Sequence, residues 1–171
     1  MLKPSTYKPH AIWFSRDPAF NAPAIPERAE GVTDDAWKLV ADAWLLTAAE
    51  WDRKIDQARE TGVIDDLLIE GMTPTLFTVR AMPAEAMHRL HDRMSTGAVG
   101  NVEAASLAFR ACVVGVTNFG DKPMTLKMTN HPDYGPIENG ALVQMLDELD
   151  PAIVAQLGGY LLGKAFRPSP K

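Results

Sequence analysis

Hydrophobic positions recur at helical spacing between Thr33 and Gly62, and this stretch predicts the longest helix of the chain. Thr33 supplies a capping hydroxyl, two acidic residues follow it, and Gly62 favours the end of a helix. The apolar positions form one stripe, in which three tryptophans recur every seven residues: Trp37, Val40, Trp44, Ala48, Trp51 and Ile55. Because three indoles gain by leaving water, the stripe is either buried in its own domain or forms a helix seam with another subunit.

Shorter elements follow Gly62. The β-branched and aromatic residues from Leu76 to Ala81 predict a strand, and Pro83 suits the first turn of a helix over Ala84–Met94. A further helix is expected from Val102 to about Val116, with Asn101 as its cap. Its apolar residues lie on so many sides that we expect it to be the central helix of the domain.

The end of the chain predicts two more helices, Ala141–Leu149 and Pro151–Phe166. Asp150 is placed to cap the second of them, with Pro151 at its first position. Glycine inside a helix costs roughly 1 kcal/mol relative to alanine, so Gly158 and Gly159 indicate a close contact with another helix or a kink.

Residues 1–32 form a proline-rich stretch that disfavours both a regular helix and a central strand, and we interpret it as an extended N-terminal arm. Trp13, Phe14 and Phe20 are its large apolar groups, which either cover the chain's own core or anchor the arm on a neighbouring subunit. Residues 33–171 are then a single domain of mainly α class with a small β element (α+β), in which amphipathic helices surround the central apolar helix.

Composition and charge limit the classes of function that the chain can have. The chain has 171 residues, 46% of them hydrophobic, which suits one core. A net charge of −5 argues against binding to nucleic acid or to an anionic membrane, because such binding needs a surplus of Lys and Arg. The single cysteine, Cys112, excludes an intrachain disulfide and sits in an apolar run. No window of the sequence approaches the roughly 20 apolar residues of a membrane span, and we expect a cytoplasmic protein.

Candidate chemistry is sparse. His88 and His91 lie one helical turn apart beside acidic residues and are weak candidates for metal ligands, because the HExxH spacing and a third ligand are missing. The sequence contains no GxGxxG, Walker, CxxC or GxSxG motif. We therefore predict a non-enzymatic protein without a cofactor. A catalytic site assembled from distant residues, or a metal-assisted enzyme that uses the two histidines, remains the alternative.

The segment Gly115–Asp121 (GVTNFGD) follows the apolar helix and is rich in turn-forming residues. Loops of this kind often carry binding function, which makes Asn118 and Phe119 candidates for partner contact. In the structural alternative, Phe119 closes the core while Asn118 bonds to the local backbone.

The order of motifs from Glu70 to Phe166 resembles small morphogenesis proteins of tailed phages, of the tail assembly chaperone kind. The resemblance rests on EGMTPTLFTVRAMP, on LAFRACVVGVTNFGD after an amphipathic helix, and on a helical end containing AQLGGYLLGKAF. Those proteins often combine a PTxFxxRxL strand, a GxxNFxD loop and a closing ELxxxI helix. The arm and the tryptophan helix at residues 1–62 have no counterpart in them.

The resemblance implies a non-enzymatic helper that binds the tape measure protein or tail tube subunits in the host cytoplasm and delays their polymerisation. Two alternatives stay open: a minor structural or connector subunit that remains in the virion, and a phage-encoded inhibitor of a host protein. The chain could also form a homo-oligomer through the tryptophan stripe and the arm. The candidate partner-binding residues are Trp13, Phe14, Phe20, Trp37, Trp44, Trp51, Asn118 and Phe119.

Overall fold

The structure is a computed structural model that describes residues 9–119, 124–125, 129–131, 135–138 and 149–165. These residues divide into two compact units. The first combines the described residues up to Phe14 with those from Thr75 onward, and the second is Ser15–Pro74. The predicted arm therefore contributes to both units, and the division falls after residues 14 and 74 rather than after residue 32.

The first unit contains an antiparallel sheet with the strand order β1-β2-β3-β4: β1 His10–Ile12, β2 Leu76–Val79, β3 Val113–Thr117 and β4 Met124–Thr125. Phe77 of β2 pairs with Ile12 on one side and with Val116 on the other, and all three side chains are buried. A second antiparallel pair joins β5, Thr129–His131, to β6, Gly135–Glu138. The proline-rich arm thus supplies an edge strand, the position in a sheet where neighbouring prolines are tolerated.

The described residues of the same unit form three helices: α2 Ala84–Ser95, α3 Asn101–Cys112 and α4 Pro151–Ala165. Asp150 caps α4 as predicted, because its Oδ1 accepts a hydrogen bond of 2.8 Å from the Ala152 amide. Most of α3 is buried, and Phe109 meets Phe77 of β2 edge to face with ring centres 5.8 Å apart. The core of this unit therefore lies between the sheet and α3, with α4 packed on α3.

Gly158 allows α4 to pack closely on α3. A Cβ atom at this position would lie 2.0 Å from the backbone oxygen of Ala105, whereas one at Gly159 would meet nothing within 4 Å. The two glycines predicted either a close helix contact or a kink. The structure has the close contact, and Gly158 is the residue that permits it.

The prediction for α3 is wrong at both ends. The helix stops at Cys112, and Val113–Thr117 forms β3 rather than the last helical turn. The run is rich in valine and lies opposite β2, where pairing satisfies its backbone groups and the β-branched side chains fit a pleated surface. The N-cap is Gly100, with Asn101 already inside the helix.

The second unit contains α1, Asp34–Thr61, followed by a short 3-10 helix at Asp65–Leu67. Thr33 is the N-cap, and Gly62 ends the helix in the left-handed conformation at φ 76°. Both ends of α1 are thus where the sequence placed them. The mainly α class with a small β element is confirmed, while the predicted helix Ala141–Leu149 lies outside the described residues except for its last residue.

Candidate partner-binding surface

The second half of α1 is covered within its own unit. Trp51 is 8% exposed, its Nε1 donates a hydrogen bond of 2.7 Å to the Ser15 carbonyl, and its ring meets Phe20 edge to face at 6.3 Å. Ile55 and Ala58 continue the same stripe and are also buried. This half of the stripe, from Ala48 to Ala58, is therefore core.

The first half of the same stripe is incompletely covered. Trp37 and Trp44 are half-buried, and Val40 between them is 47% exposed. The guanidinium of Arg16 stacks over the Trp44 ring at 5.2 Å from its centre. The buried Nε1 of Trp44 has no hydrogen-bond acceptor within the part of the chain that the structure describes. We call Trp37, Val40 and Trp44 the inner stripe.

The aromatic residues of the arm are placed differently from one another. Trp13, a residue of the first unit, is buried, and Phe20, a residue of the second, is buried against Trp51. Phe14 is half-buried. Among the predicted partner-binding aromatics, Trp13, Phe20 and Trp51 thus have little surface to offer a partner, whereas Phe14, Trp37 and Trp44 keep part of theirs.

A second apolar stripe runs along the opposite face of α1, and sequence reasoning missed it. Leu39 is 73% exposed and Leu46 is 75% exposed, and Ala36 and Ala43 lie beside them, also exposed. We call Leu39, Ala43 and Leu46 the outer stripe. The i, i+4, i+7 spacing of these residues is present in the sequence, but the three tryptophans on the other face give the stronger apolar signal.

Asn118 and Phe119 follow β3. Asn118 is exposed and adopts a left-handed backbone at φ 59°, and its carbonyl accepts a hydrogen bond of 3.3 Å from Thr75 Oγ1. Asparagine tolerates this conformation better than most residues. Phe119 is half-buried and packs against the core of the first unit. The arrangement gives both residues a structural role and leaves Asn118 accessible.

The two candidate metal ligands lie exposed on α2. His91 approaches Asp92 of the same helix, with 3.8 Å between Nδ1 and Oδ1. Within the described ranges, no group of three or more His, Cys, Asp or Glu side chains is arranged to hold a metal ion. The structure therefore does not bring a third ligand from the described residues to His88 and His91.

Among the described residues of the first unit, the buried thiol of Cys112 and the half-buried imidazole of His10 have shifted pKa values. Burial raises the pKa of the Cys112 thiol to about 12, although Arg80 acts in the opposite direction. Burial also lowers the pKa of His10, and the positive charge of Lys164 adds to that effect. Because a thiol attacks as its thiolate, Cys112 is poorly suited to nucleophilic or redox chemistry at neutral pH.

A cavity of about 330 Å³ lies beside the second half of α1. Its wall carries charges of both signs, from Glu50, Lys54 and Asp66. Glu50 and Lys54 form an ion pair of 3.4 Å. A wall that mixes charges in this way shows no preference for an anion or a cation. The apolar surface of α1 remains the more distinctive feature of this unit.

The chain matches no protein-family model, no curated protein and no solved structure. No helix among the described residues is long and apolar enough to cross a membrane. The features of the chain that bear on its function are therefore the surface of α1 and the motif pattern.

Proposed function

We propose that this chain is a non-enzymatic protein-binding factor in the assembly of a phage tail or virion, acting like a chaperone on the tape measure protein or the tail tube protein. The motif order from Glu70 to Phe166 supports the phage assignment. The half-covered inner stripe of α1 supports a role in protein binding. The chain acts in the host cytoplasm, where such subunits accumulate before they polymerise.

The observation that carries the proposal is the contrast along one stripe of α1. Ala48, Trp51 and Ile55 are buried within the chain, but Val40 is 47% exposed and the tryptophans on either side of it are only half-buried. Contiguous exposed apolar groups mark interaction sites, and tryptophan is among the residues that contribute most to binding energy at interfaces. The inner stripe therefore offers a partner two preplaced indoles.

The binding mode follows from the shape of this surface. An amphipathic helix binds a partner by laying its apolar face in a groove, with anchors spaced by three, four or seven residues. Trp37, Val40 and Trp44 have this spacing. A tail subunit with an apolar groove would be held by the stripe until a polymerising neighbour displaced it, which would delay premature assembly.

The experiment is co-expression of the chain with the tape measure or tail tube protein of the same phage. We expect a complex on size-exclusion chromatography and a larger soluble fraction of the client than in its absence. Val40→Gln should reduce both. Val63→Gln is the matched control, because Val63 is also exposed in the second unit but lies beyond the end of α1.

The outcome that would contradict the proposal is the absence of a complex with either client, together with unchanged client polymerisation. Stable incorporation of the chain into purified virions would favour the connector subunit instead. Specific capture of a basic host protein would favour the host-directed inhibitor, for which the net charge of −5 is the supporting observation.

A further inference from the structure

A charged residue of α1 precedes the outer stripe and another follows it. Asp35 and Arg53 are separated by 18 residues, which is five helical turns, so both point from the same face as Leu39 and Leu46. All four residues are exposed. The face therefore shows an acid at one end and a base at the other, with the two leucines between them and Asp42 between the leucines.

These two charged groups are available for a partner. Neither Asp35 nor Arg53 forms an ion pair within the described part of the chain, whereas nearby charges do: Asp34 with Arg28, Glu50 with Lys54, and Asp56 with Arg59. The leucines are three-quarters exposed, in a unit that buries other large apolar groups such as Ile55 and Phe20.

An acid-apolar-base pattern is complementary to itself when the second helix runs in the opposite direction. If the two-fold axis passes near residue 44, Asp35 of one chain faces Arg53 of the other, and the symmetry repeats the pair. Leu39, Ala43 and Leu46 of both chains then meet in the middle. Alanine between leucines lets the two backbones approach, and the antiparallel direction also opposes the two helix dipoles favourably.

We propose that the outer stripe is an interface with a second copy of this chain, formed by two antiparallel α1 helices around a two-fold axis near residue 44. This interface uses the face of α1 opposite to the inner stripe, so it goes beyond the proposed client binding and does not depend on it. Asp42 lies on the same face between the leucines and opposes association through its symmetry mate.

The apolar part of the interface is tested by sedimentation velocity of the full chain over a wide concentration range. Wild type should form a dimer, and Leu39→Gln with Leu46→Gln should weaken it at least about a hundredfold by removing four leucines from the interface. Glutamine keeps helix propensity, and the exposure of both leucines predicts an unchanged circular dichroism spectrum and melting temperature. Leu45→Gln is the matched control, since Leu45 is also exposed but points about 100° away from Leu46.

The direction of the helices is tested by charge reversal. Asp35→Arg and Arg53→Asp should each weaken the homodimer about tenfold, because two exposed ion pairs become two repulsions. The double variant should bind like wild type, and an equimolar mixture of the two single variants should form a heterodimer of wild-type strength. Asp42→Asn should tighten the dimer.

Three results would overturn the inference. A wild-type chain that stays monomeric at the highest soluble concentration excludes the interface. A dimer that persists after the loss of both leucines has its interface elsewhere on the chain. Single charge variants that match wild type, with a mixture tighter than wild type, indicate parallel helices. A monomer that still binds the tail client overturns only this inference, whereas a dimer that binds neither client contradicts only the proposed function.

Discussion

Helix α3 and the first half of α1 both have apolar residues on more than one face, but these residues are buried to different extents in the two helices. In α3 the extra groups are buried by the sheet and by α4, which approaches within reach of the Ala105 backbone because residue 158 is glycine. In α1 the leucines at positions 39 and 46 remain three-quarters exposed. Except for Val102 in its first turn, which is 80% exposed, the large apolar residues of α3 are covered inside the chain. Leu39 and Leu46 of α1 are left uncovered by the described residues, and they form the surface that we propose for a second copy.

The largest effect we expect distinguishes the two halves of α1. Trp51→Ala should lower the free energy of unfolding by about 3–5 kcal/mol, because it removes a buried ring and the hydrogen bond from Nε1 to Ser15. Trp37→Ala should cost less than half as much, since Trp37 is only half-buried. Urea denaturation followed by circular dichroism measures both values. Equal losses would contradict the contrast between the halves.

A second substitution tests how α3 is covered. Gly158→Ala places a methyl group against the Ala105 backbone, which cannot move aside as a flexible side chain would, and should destabilise the protein by about 1–3 kcal/mol. Gly159→Ala is the control in the same helix. Its added methyl group meets nothing within 4 Å, so the gain in helix propensity should stabilise the protein by about 0.5–1 kcal/mol. Thermal melts of the two variants should shift in opposite directions.

The smallest effect that we expect is a pH-dependent loss of folding stability, which follows from the burial of the Cys112 thiol beside β3. Its folded pKa of about 12 lies above the 9.0 of a solvent-exposed thiol, so the unfolded chain loses the thiol proton first as pH rises. The stabilisation that the buried, protonated Cys112 thiol provides is therefore complete below pH 9 and is lost between pH 9 and about pH 12. At pH 10 we expect a loss of about 1 kcal/mol relative to pH 8 that is absent from Cys112→Ala. If both proteins show the same pH dependence, the thiol is not buried as described.

Much of the fold could be predicted wherever one local signal determines the element. The caps at Thr33 and Gly62 fixed both ends of α1, Asp150 fixed the start of α4, and β-branched and aromatic residues identified β2. Each of these signals acts within a few residues, and the tertiary structure does not oppose it.

The sequence could not show where α3 ends. A short apolar run such as Val113–Val116 fits a buried helix or a buried strand equally well by periodicity, and only the pairing with Phe77 and its neighbours in β2 decides between them. The strand β1 in the proline-rich arm was missed for the same reason, because its pairing partner lies more than 60 residues away.

The candidate site was predicted in part. The tryptophan stripe was recognised, but whether a given tryptophan is core or surface depends on where residues 15–21 pack, and nothing in the spacing reveals that. The outer stripe could have been found from the spacing of Leu39 and Leu46 alone. Its leucines are smaller than the indoles of the tryptophan stripe, which is the stronger apolar signal of α1.

Amide hydrogen exchange of the full chain at low and high concentration tests the central claim most directly, namely that a second copy covers the first half of α1. We predict that residues 36–47 exchange faster than residues 48–58 in dilute solution. As concentration rises, residues 35–53, the span of the interface, should gain protection while residues 54–61 do not. Equal protection of both halves at every concentration would contradict the claim.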